Sequence, residues 1–370
     1  MGCAIVGCGK AVPDLEIENV ALEELVDTNN EWITTRTGIE TRHIAVAETA
    51  TDLGEAAARQ ALGWTLGGYS ERRFDPSDID LVICATVTPD SIVPSMAGLI
   101  RRRLGLDRAV AFDVNAACSG FIYGLTVAET MMAASAPNAV GSAGRNAFRR
   151  VLVVSSERLT RLTNWKDRNT CVLFGDGAGA AVLEWDENRS GILSSFIVNA
   201  DDEANALTCP MTFEAPLPFD EHGVIAQATA LHDRSASRVD EELAICEHIE
   251  NGEPRQVLRM NGPHVFKFAA EAMTEAIHQA LDRAGLSLDD LSYIVPHQAN
   301  ERIIKFAAKK LDLPLESFQL SIADTGNTSA ASVPMALTDA YAEGHIKRGD
   351  KIALVAFGGG FTSGAIIYEA

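Results

Sequence analysis

The chain repeats itself, and the repeat limits its fold more than any other feature. From Ser77 to Glu157 the apolar stretch Asp-Ile-Asp-Leu-Val-Ile-Cys-Ala-Thr leads into a helical pattern over residues 96–104. A strand-like run over 110–114 follows, then a turn of small residues at Cys118, another helical pattern and the apolar run 151–155. From Leu288 to Phe357 the order returns: Asp-Asp-Leu-Ser-Tyr-Ile-Val-Pro-His, a helical pattern over 300–311, a short strand over 318–322, a turn at Asn327, a helix and the run 352–357. Each half closes on a glycine turn and a last strand, Phe174-Gly-Asp-Gly-Ala-Gly-Ala-Ala-Val-Leu and Phe357-Gly-Gly-Gly-Phe-Thr-Ser-Gly-Ala-Ile-Ile-Tyr. Two unrelated α/β halves could look alike by chance, but matched turn positions favour duplication.

Apolar strands alternating with helices predict buried sheets with helices on their faces. Residues 121–134 are apolar nearly all round, which places that helix between layers rather than at the surface. The expected fold is therefore α/β, two duplicated halves (1–190 and 191–370) forming a layered αβαβα sandwich. Two stretches fall outside the repeat. Residues 135–145 are rich in small residues, and an acidic segment over about 201–255 carries a polar helical pattern near 238–249. The second reads as a surface insertion or lid, or equally as a solvated loop.

Composition closes off several function classes. A net charge of -20 disfavours nucleic-acid binding, which wants a basic face. Seven cysteines without a Cys-x-x-Cys argue against a disulfide framework or a structural zinc site, and no metal is expected. No apolar run reaches a membrane span, and the first residues lack the layout of a secretory signal, so the expectation is a cytoplasmic protein without membrane contact.

Three residues sit where strands give way to helices, which is where parallel α/β proteins gather chemistry. Cys118 lies in Ala-Ala-Cys-Ser-Gly at the start of the buried helix. Helix N-terminal amides would lower its pKa and could receive an oxyanion, whereas the bland alternative is a structural core thiol. His297 follows a strand on a tight turn with Asn300 as a helix cap; such a histidine also serves as a plain hydrogen-bonding residue. Asn327 lies between Gly326 and Thr328, where asparagines commonly serve the backbone; the repeat relates it to Cys118 by pseudo-symmetry. Gly358, Gly359 and Gly360 would let backbone amides approach a ligand. Arg302, Lys305 and Lys309 recur along one helix face opposite Ile303, Ile304, Ala307, Ala308 and Leu311, and Lys267 adds to them. On so acidic a chain this stripe suits an acidic partner, although solvated lysines are the ordinary case.

At these residues the chain resembles the β-ketoacyl-acyl carrier protein synthase III family, condensing enzymes of the thiolase fold. The likeness covers nearly the whole length. It runs through Val26-Asp-Thr-Asn-Asn-Glu-Trp-Ile-Thr-Thr-Arg-Thr-Gly-Ile-Glu-Thr-Arg-His-Ile-Ala45, the Cys118 motif, Phe174-Gly-Asp-Gly-Ala-Gly, Pro296-His-Gln-Ala-Asn, Gly326-Asn-Thr-Ser-Ala-Ala-Ser-Val-Pro and Ala356-Phe-Gly-Gly-Gly-Phe. It implies that Cys118 takes an acyl group from acyl-CoA, and that His297 and Asn327 support decarboxylation of malonyl-acyl carrier protein. It further implies that the amides of Cys118 and Gly359 form an oxyanion hole. Thr28, Trp32, Arg36 and Arg168 would bind coenzyme A, and Lys267, Arg302, Lys305 and Lys309 would dock the carrier protein. A homodimer is implied, with no cofactor beyond acyl-CoA as substrate. Two departures stand out. The stretch from Cys118 to His297 is longer than in typical relatives. Val93 falls where some relatives carry a phenylalanine on the wall of the partner's acyl pocket, so a longer or branched primer would fit. Rival readings are a specialised condensing relative of secondary metabolism, a cysteine hydrolase built on Cys, His and Asn, and a carrier-binding protein without activity.

Overall fold

Two mixed sheets stand face to face with a pair of helices between them. The structure is a computed structural model, and it describes residues 2–136, 147–202, 204–210 and 257–370. The first sheet runs Tyr69–Ser70 (β4), Gly2–Ala11 (β1), Asp176–Asp186 (β8), Arg150–Arg158 (β7), Leu81–Ala85 (β5), Val110–Val114 (β6). The second runs Tyr293–Pro296 (β12), Lys351–Gly358 (β13), Thr362–Glu369 (β14), Ile192–Asn199 (β9). Two short ribbons, Leu15–Glu18 (β2) with Thr41–Ile44 (β3) and Leu207–Thr208 (β10) with Arg259–Met260 (β11), lie outside the sheets.

The strand order of the second sheet repeats that of the first. β5 lies parallel to β7 as β12 lies parallel to β13, and each pair is followed by an antiparallel partner, β8 or β14. One expected strand is cut down. The run over 318–322 forms only an isolated parallel bridge, Phe318 to Ile294, because Leu315–Ser317 coils into a 3-10 turn before it and a helix starts at Ile322. The predicted helix over 238–249 and most of the 135–145 segment lie outside the described residues.

Among the described residues, the helices are Asn30–Thr37 (α1), Ala50–Ala61 (α2), Met96–Arg103 (α3), Gly120–Ser135 (α4), Arg168–Cys171 (α5), Gly262–Ala284 (α6), Glu301–Lys310 (α7), Ile322–Thr325 (α8) and Ser332–Ala342 (α9). α2 and α3 cover the outer face of the first sheet, and α6 and α7 cover that of the second. α4 and α9 fill the middle. Phe121, Leu125 and Met132 of α4 and Val333 and Leu337 of α9 share one buried cluster with Ile83 and Val153 from one sheet and Leu354 and Ile366 from the other. This is why α4 carries no polar face: both its sides meet a sheet. Each of the larger buried side chains contributes about 1.5–3 kcal/mol by leaving water, so the middle layer ties the halves together. It also fixes the N-termini of α4 and α9, where the chemistry-bearing turns sit. No helix among the described residues is long and apolar enough to cross a membrane.

Candidate active site

The turns that open α4 and α9 are built alike. After β6, Asn115 Oδ1 accepts the Ala117 N–H at 3.2 Å; Ala117 then takes φ 47°, and the 3-10 turn Ala117–Ser119 presents Cys118. In the second half Asn327 Oδ1 accepts the Ser329 N–H at 2.9 Å, Ser329 takes φ 52°, and the turn Ser329–Ala331 leads into α9. A left-handed conformation outside glycine costs about 1–2 kcal/mol, so both turns are held under strain by what surrounds them. The shared geometry corrects the expected pairing. The counterpart of Asn327 is Asn115, and Cys118 corresponds to Ala330. The backbone role of Asn327 and a ligand role are also compatible. Its Oδ1 is taken by Ser329, which fixes the amide orientation and leaves Nδ2 as the group for a ligand.

His297 continues from β12, its N–H bonded to Val355 O at 2.8 Å, and its side chain is 1% exposed. The ring stands edge-on to Phe357, and its Nδ1 lies 2.6 Å from Ser332 Oγ. Asn300 caps α7, accepting the Arg302 N–H at 2.9 Å as the sequence suggested. The glycine turn after β13 is pressed against the nucleophile turn. A Cβ on Gly358 would lie 2.6 Å from Cys118 N, a contact no other residue tolerates. Thr362 Oγ1 clamps the two turns together, donating to Ala116 O at 3.0 Å and standing 3.2 Å from Ser119 Oγ and 3.4 Å from Gly359 O.

Cys118, His297, Asn327 and Gly359 line one cavity of about 360 Å³. Its further walls are apolar, with Leu159, Leu173, Leu207, Phe268 and Phe361 among them. Burial pushes His297 down to about 3, so its imidazole is neutral. The thiol departs from expectation. Burial pushes Cys118 up to about 11, outweighing the Ser329 hydroxyl and its own amide, which pull the other way. The partial exposure of Cys118 is toward this apolar cavity, so desolvation still governs.

The outlying residues fall into three groups. Trp32 of α1 has the Arg36 guanidinium 4.6 Å and the Arg168 guanidinium 4.7 Å from its ring centroid, and Arg168 Nη1 donates to Asp27 O at 2.7 Å. Beside them, the buried Thr28 Oγ1 has no hydrogen-bond partner among the described residues. The group packs against Leu159 and Leu173 of the cavity wall. Arg302, Lys305 and Lys309 are exposed along α7 with Lys267 exposed on α6, and Phe306 stands 43% exposed among them. Ala299, Asn300 and Ile303 line the cavity, so the basic stripe starts at its mouth. Val93 is 84% exposed and does not line the cavity of its own chain.

Sequence reasoning missed Ser332, Ser329, Thr362 and Asn115. They act on the site through hydrogen bonds that join distant segments, and only the repeated Asn-x-Ser and Asn-x-Ala could have signalled two of them. It also missed that β10 and β11, with Cys209 and Leu258 beside them, wall the cavity at both ends of the acidic segment.

The comparisons agree with this geometry. Residues 112–201 match the family model described as 3-oxoacyl-[acyl-carrier-protein (ACP)] synthase III, and residues 281–370 match its C-terminal model. The chain is 38% identical to a β-ketoacyl-[acyl-carrier-protein] synthase III of Clostridium beijerinckii, covering 99% of this chain and 98% of that one. The 3-oxoacyl-[acyl-carrier-protein] synthase III structure from Aquifex aeolicus superposes with TM-score 0.80 at 36% identity, covering 100% of both. A priming β-ketosynthase of the R1128 polyketide pathway superposes with TM-score 0.79 at 31% identity, covering 100% of this chain and 96% of that one. The chain belongs to the 3-oxoacyl-[acyl-carrier-protein] synthase III family, condensing acyltransferases of the thiolase fold.

Proposed function

We propose a division of labour in the cavity for the condensation that gives this family its name. The meeting of Cys118, His297, Asn327 and Gly359 on one apolar cavity carries the reading. Cys118 attacks the thioester of a short acyl-CoA and holds the acyl group. Covalent capture divides one difficult condensation into two easier steps. Malonyl-carrier protein then enters, and His297 and Asn327 Nδ2 donate to its thioester oxygen as carbon dioxide leaves and the oxygen becomes enolate-like. The carbanion attacks the acyl carbon, the amides of Cys118 and Gly359 hold that oxyanion, and Cys118 departs, giving 3-oxoacyl-carrier protein. Neutral donors suit this work, because they stabilise charge only as it develops. The neutral state of His297 fits that role and unfits it as a strong base.

Trp32, Arg36, Arg168 and Thr28 bind coenzyme A, with the flat indole and guanidinium faces receiving its adenine. Lys267, Arg302, Lys305 and Lys309 receive the acidic carrier protein. The chain works as a homodimer, for which the edge strand Val110–Val114 and the exposed Ile92 and Val93 offer apolar surface. In that dimer Val93 walls the partner's acyl pocket.

The test is incubation with acetyl-CoA and with isobutyryl-CoA, followed by peptide mass spectrometry. An adduct confined to the Cys118 peptide and discharged by malonyl-carrier protein as a 3-oxoacyl product is expected. Discharge by water alone would make the protein a hydrolase. The 31% identity to a priming ketosynthase of a polyketide pathway keeps a second reading, a specialised primer enzyme. Refusal of acetyl-CoA with turnover of a longer primer would favour it.

A further inference from the structure

A buried carboxyl beneath the nucleophile has no place in the scheme above. Glu157, on β7, is 0% exposed. Its Oε2 accepts the Thr88 hydroxyl at 2.6 Å, the Thr86 hydroxyl at 3.2 Å and the Val87 N–H at 3.1 Å, and its Oε1 accepts that N–H at 3.2 Å. These neighbours are committed as donors. Thr88 Oγ1 already accepts the Arg158 N–H at 2.8 Å, and Thr86 Oγ1 already accepts the Thr88 N–H at 3.0 Å. Such a shell holds a carboxylate as an acceptor and leaves Oε1 the less occupied oxygen. The turn carrying Ser329 packs on β7 and on the Cys118 turn, and the Ser329 hydroxyl interacts with both the Cys118 thiol and the Glu157 carboxyl. Cys118, Ser329 and the Val87 strap line the same cavity.

The surroundings make this arrangement matter. The thiol must lose its proton to react, yet burial holds that proton on sulfur, and His297 is pinned by Ser332 and resists protonation. Burial also pushes Glu157 up to about 7, where a proton acceptor works well near neutral pH. The ionisable groups facing Glu157 are the thiols of Cys118 and Cys84, the latter held far above its ordinary value by burial. The neighbouring Arg158 guanidinium turns away to Ala45 O.

We propose that Glu157, through the Ser329 hydroxyl, takes the Cys118 proton as the thiol attacks the acyl thioester and returns it when condensation releases the sulfur. In acylation the S–H bond breaks as sulfur bonds to the acyl carbon. The thiol proton passes to Ser329 Oγ while the Ser329 proton passes to Glu157. Coenzyme A leaves with the electron pair of its C–S bond and takes a proton from water. In condensation the carbanion bonds to the acyl carbon, Cys118 leaves with the electron pair of the acyl–sulfur bond, and the relay runs backward. Ser329 touches the reacting sulfur; Glu157 is a positioning residue acting through it.

The inference rests on Cys118 being the nucleophile, and the experiment separates the two. Acylation of Cys118 by acetyl-CoA is timed by rapid quench and intact-mass spectrometry as pH is varied. The wild-type rate should climb with pH through a midpoint near 7. In Glu157→Gln and in Ser329→Ala that limb should vanish, with the neutral-pH rate at least ~10-fold lower. A uniform drop that keeps the limb would mean a structural role and overturn the relay, as would unchanged rates. If Glu157→Gln fails to fold, Ser329→Ala decides alone. Absence of any adduct in the wild type would overturn the nucleophile itself.

Discussion

Ser332 Oγ stands 2.6 Å from His297 Nδ1 and at the same time accepts the Gln298 N–H at 3.3 Å. A hydroxyl that already accepts a hydrogen bond has its own hydrogen to give, so Ser332 donates to Nδ1 and the imidazole proton resides on Nε2. That tautomer aims a donor, rather than a lone pair, at an oxygen in the cavity. Ser332→Ala removes the bias and leaves a buried ring nitrogen unpaired. Decarboxylation of malonyl-carrier protein without primer should slow by roughly tenfold, about 1.4 kcal/mol of barrier. Acylation of Cys118 should keep its rate. Equal losses in the two half-reactions would reduce Ser332 to a packing residue.

The burial that keeps His297 neutral has a sign in pH. Its folded pKa, about 3, lies below the ordinary 6.5. An unfolded chain therefore takes up a proton below 6.5 that the folded chain refuses, and stability is lost as pH falls from 6.5 toward 3, at up to ~1.4 kcal/mol per pH unit. Replacing His297 by Asn should flatten that acid limb in thermal melts. In the wild type, the decarboxylation rate should hold as pH drops below the ordinary histidine range, because the donor never becomes charged. A decline with midpoint at the ordinary histidine value would show that the ring protonates.

Most of the architecture was legible because hydrophobic periodicity and the repeat encode it directly. The strand runs ending at Val114, Pro296 and Gly358, the all-apolar α4 and the Asn300 cap all follow from local pattern. The strand over 318–322 was misjudged because Leu315–Ser317 coils and α8 claims Ile322, a tertiary choice that propensity does not record. The pseudo-symmetric partner of Asn327 was misjudged because chemistry drew attention to Cys118, while the backbone repeat sits at Ala117 and Ser329, two left-handed residues invisible as letters. The thiol was misjudged because a helix N-terminus can be read from sequence, but the desolvation opposing it depends on the cavity walls, which come from six separate segments around Val87, Leu159, Leu173, Leu207, Phe268 and Phe361.

Gly358 tests how tightly the two turns must pack. An added Cβ meets Cys118 N at 2.6 Å and the Ala117 Cβ at 3.1 Å, and neither backbone nor a strained alanine yields easily. Gly358→Ala should cost about 1–3 kcal/mol of stability, the usual range for overpacking. It should also slow Cys118 acylation by about 100-fold, because an ångström at the nucleophile is enough for that. Gly359→Ala meets the Leu207 side chain at 3.3 Å and should be milder on both counts. Thermal melts and acylation rates on the pair decide it. Equal effects would mean that the glycine turn matters for flexibility rather than for close approach.

The basic stripe on α7 makes the last prediction, and its members are not equal. Lys305 is engaged by Glu301 at 2.8 Å, whereas no ion pair holds Arg302 among the described residues. Arg302 therefore has its charge free for an acidic partner, while Lys305 must first give up a neighbour. Arg302→Glu should raise the KM for malonyl-carrier protein by roughly 10-fold or more, and Lys305→Glu by less, with both effects shrinking as salt is added. The stripe lies at the cavity mouth, beside the imidazole turn and away from the Trp32 cluster, so acylation by acetyl-CoA should proceed at its usual rate in both variants. A charge reversal at Arg302 that changes neither the KM for the carrier protein nor its salt dependence would move the docking surface elsewhere on this acidic chain.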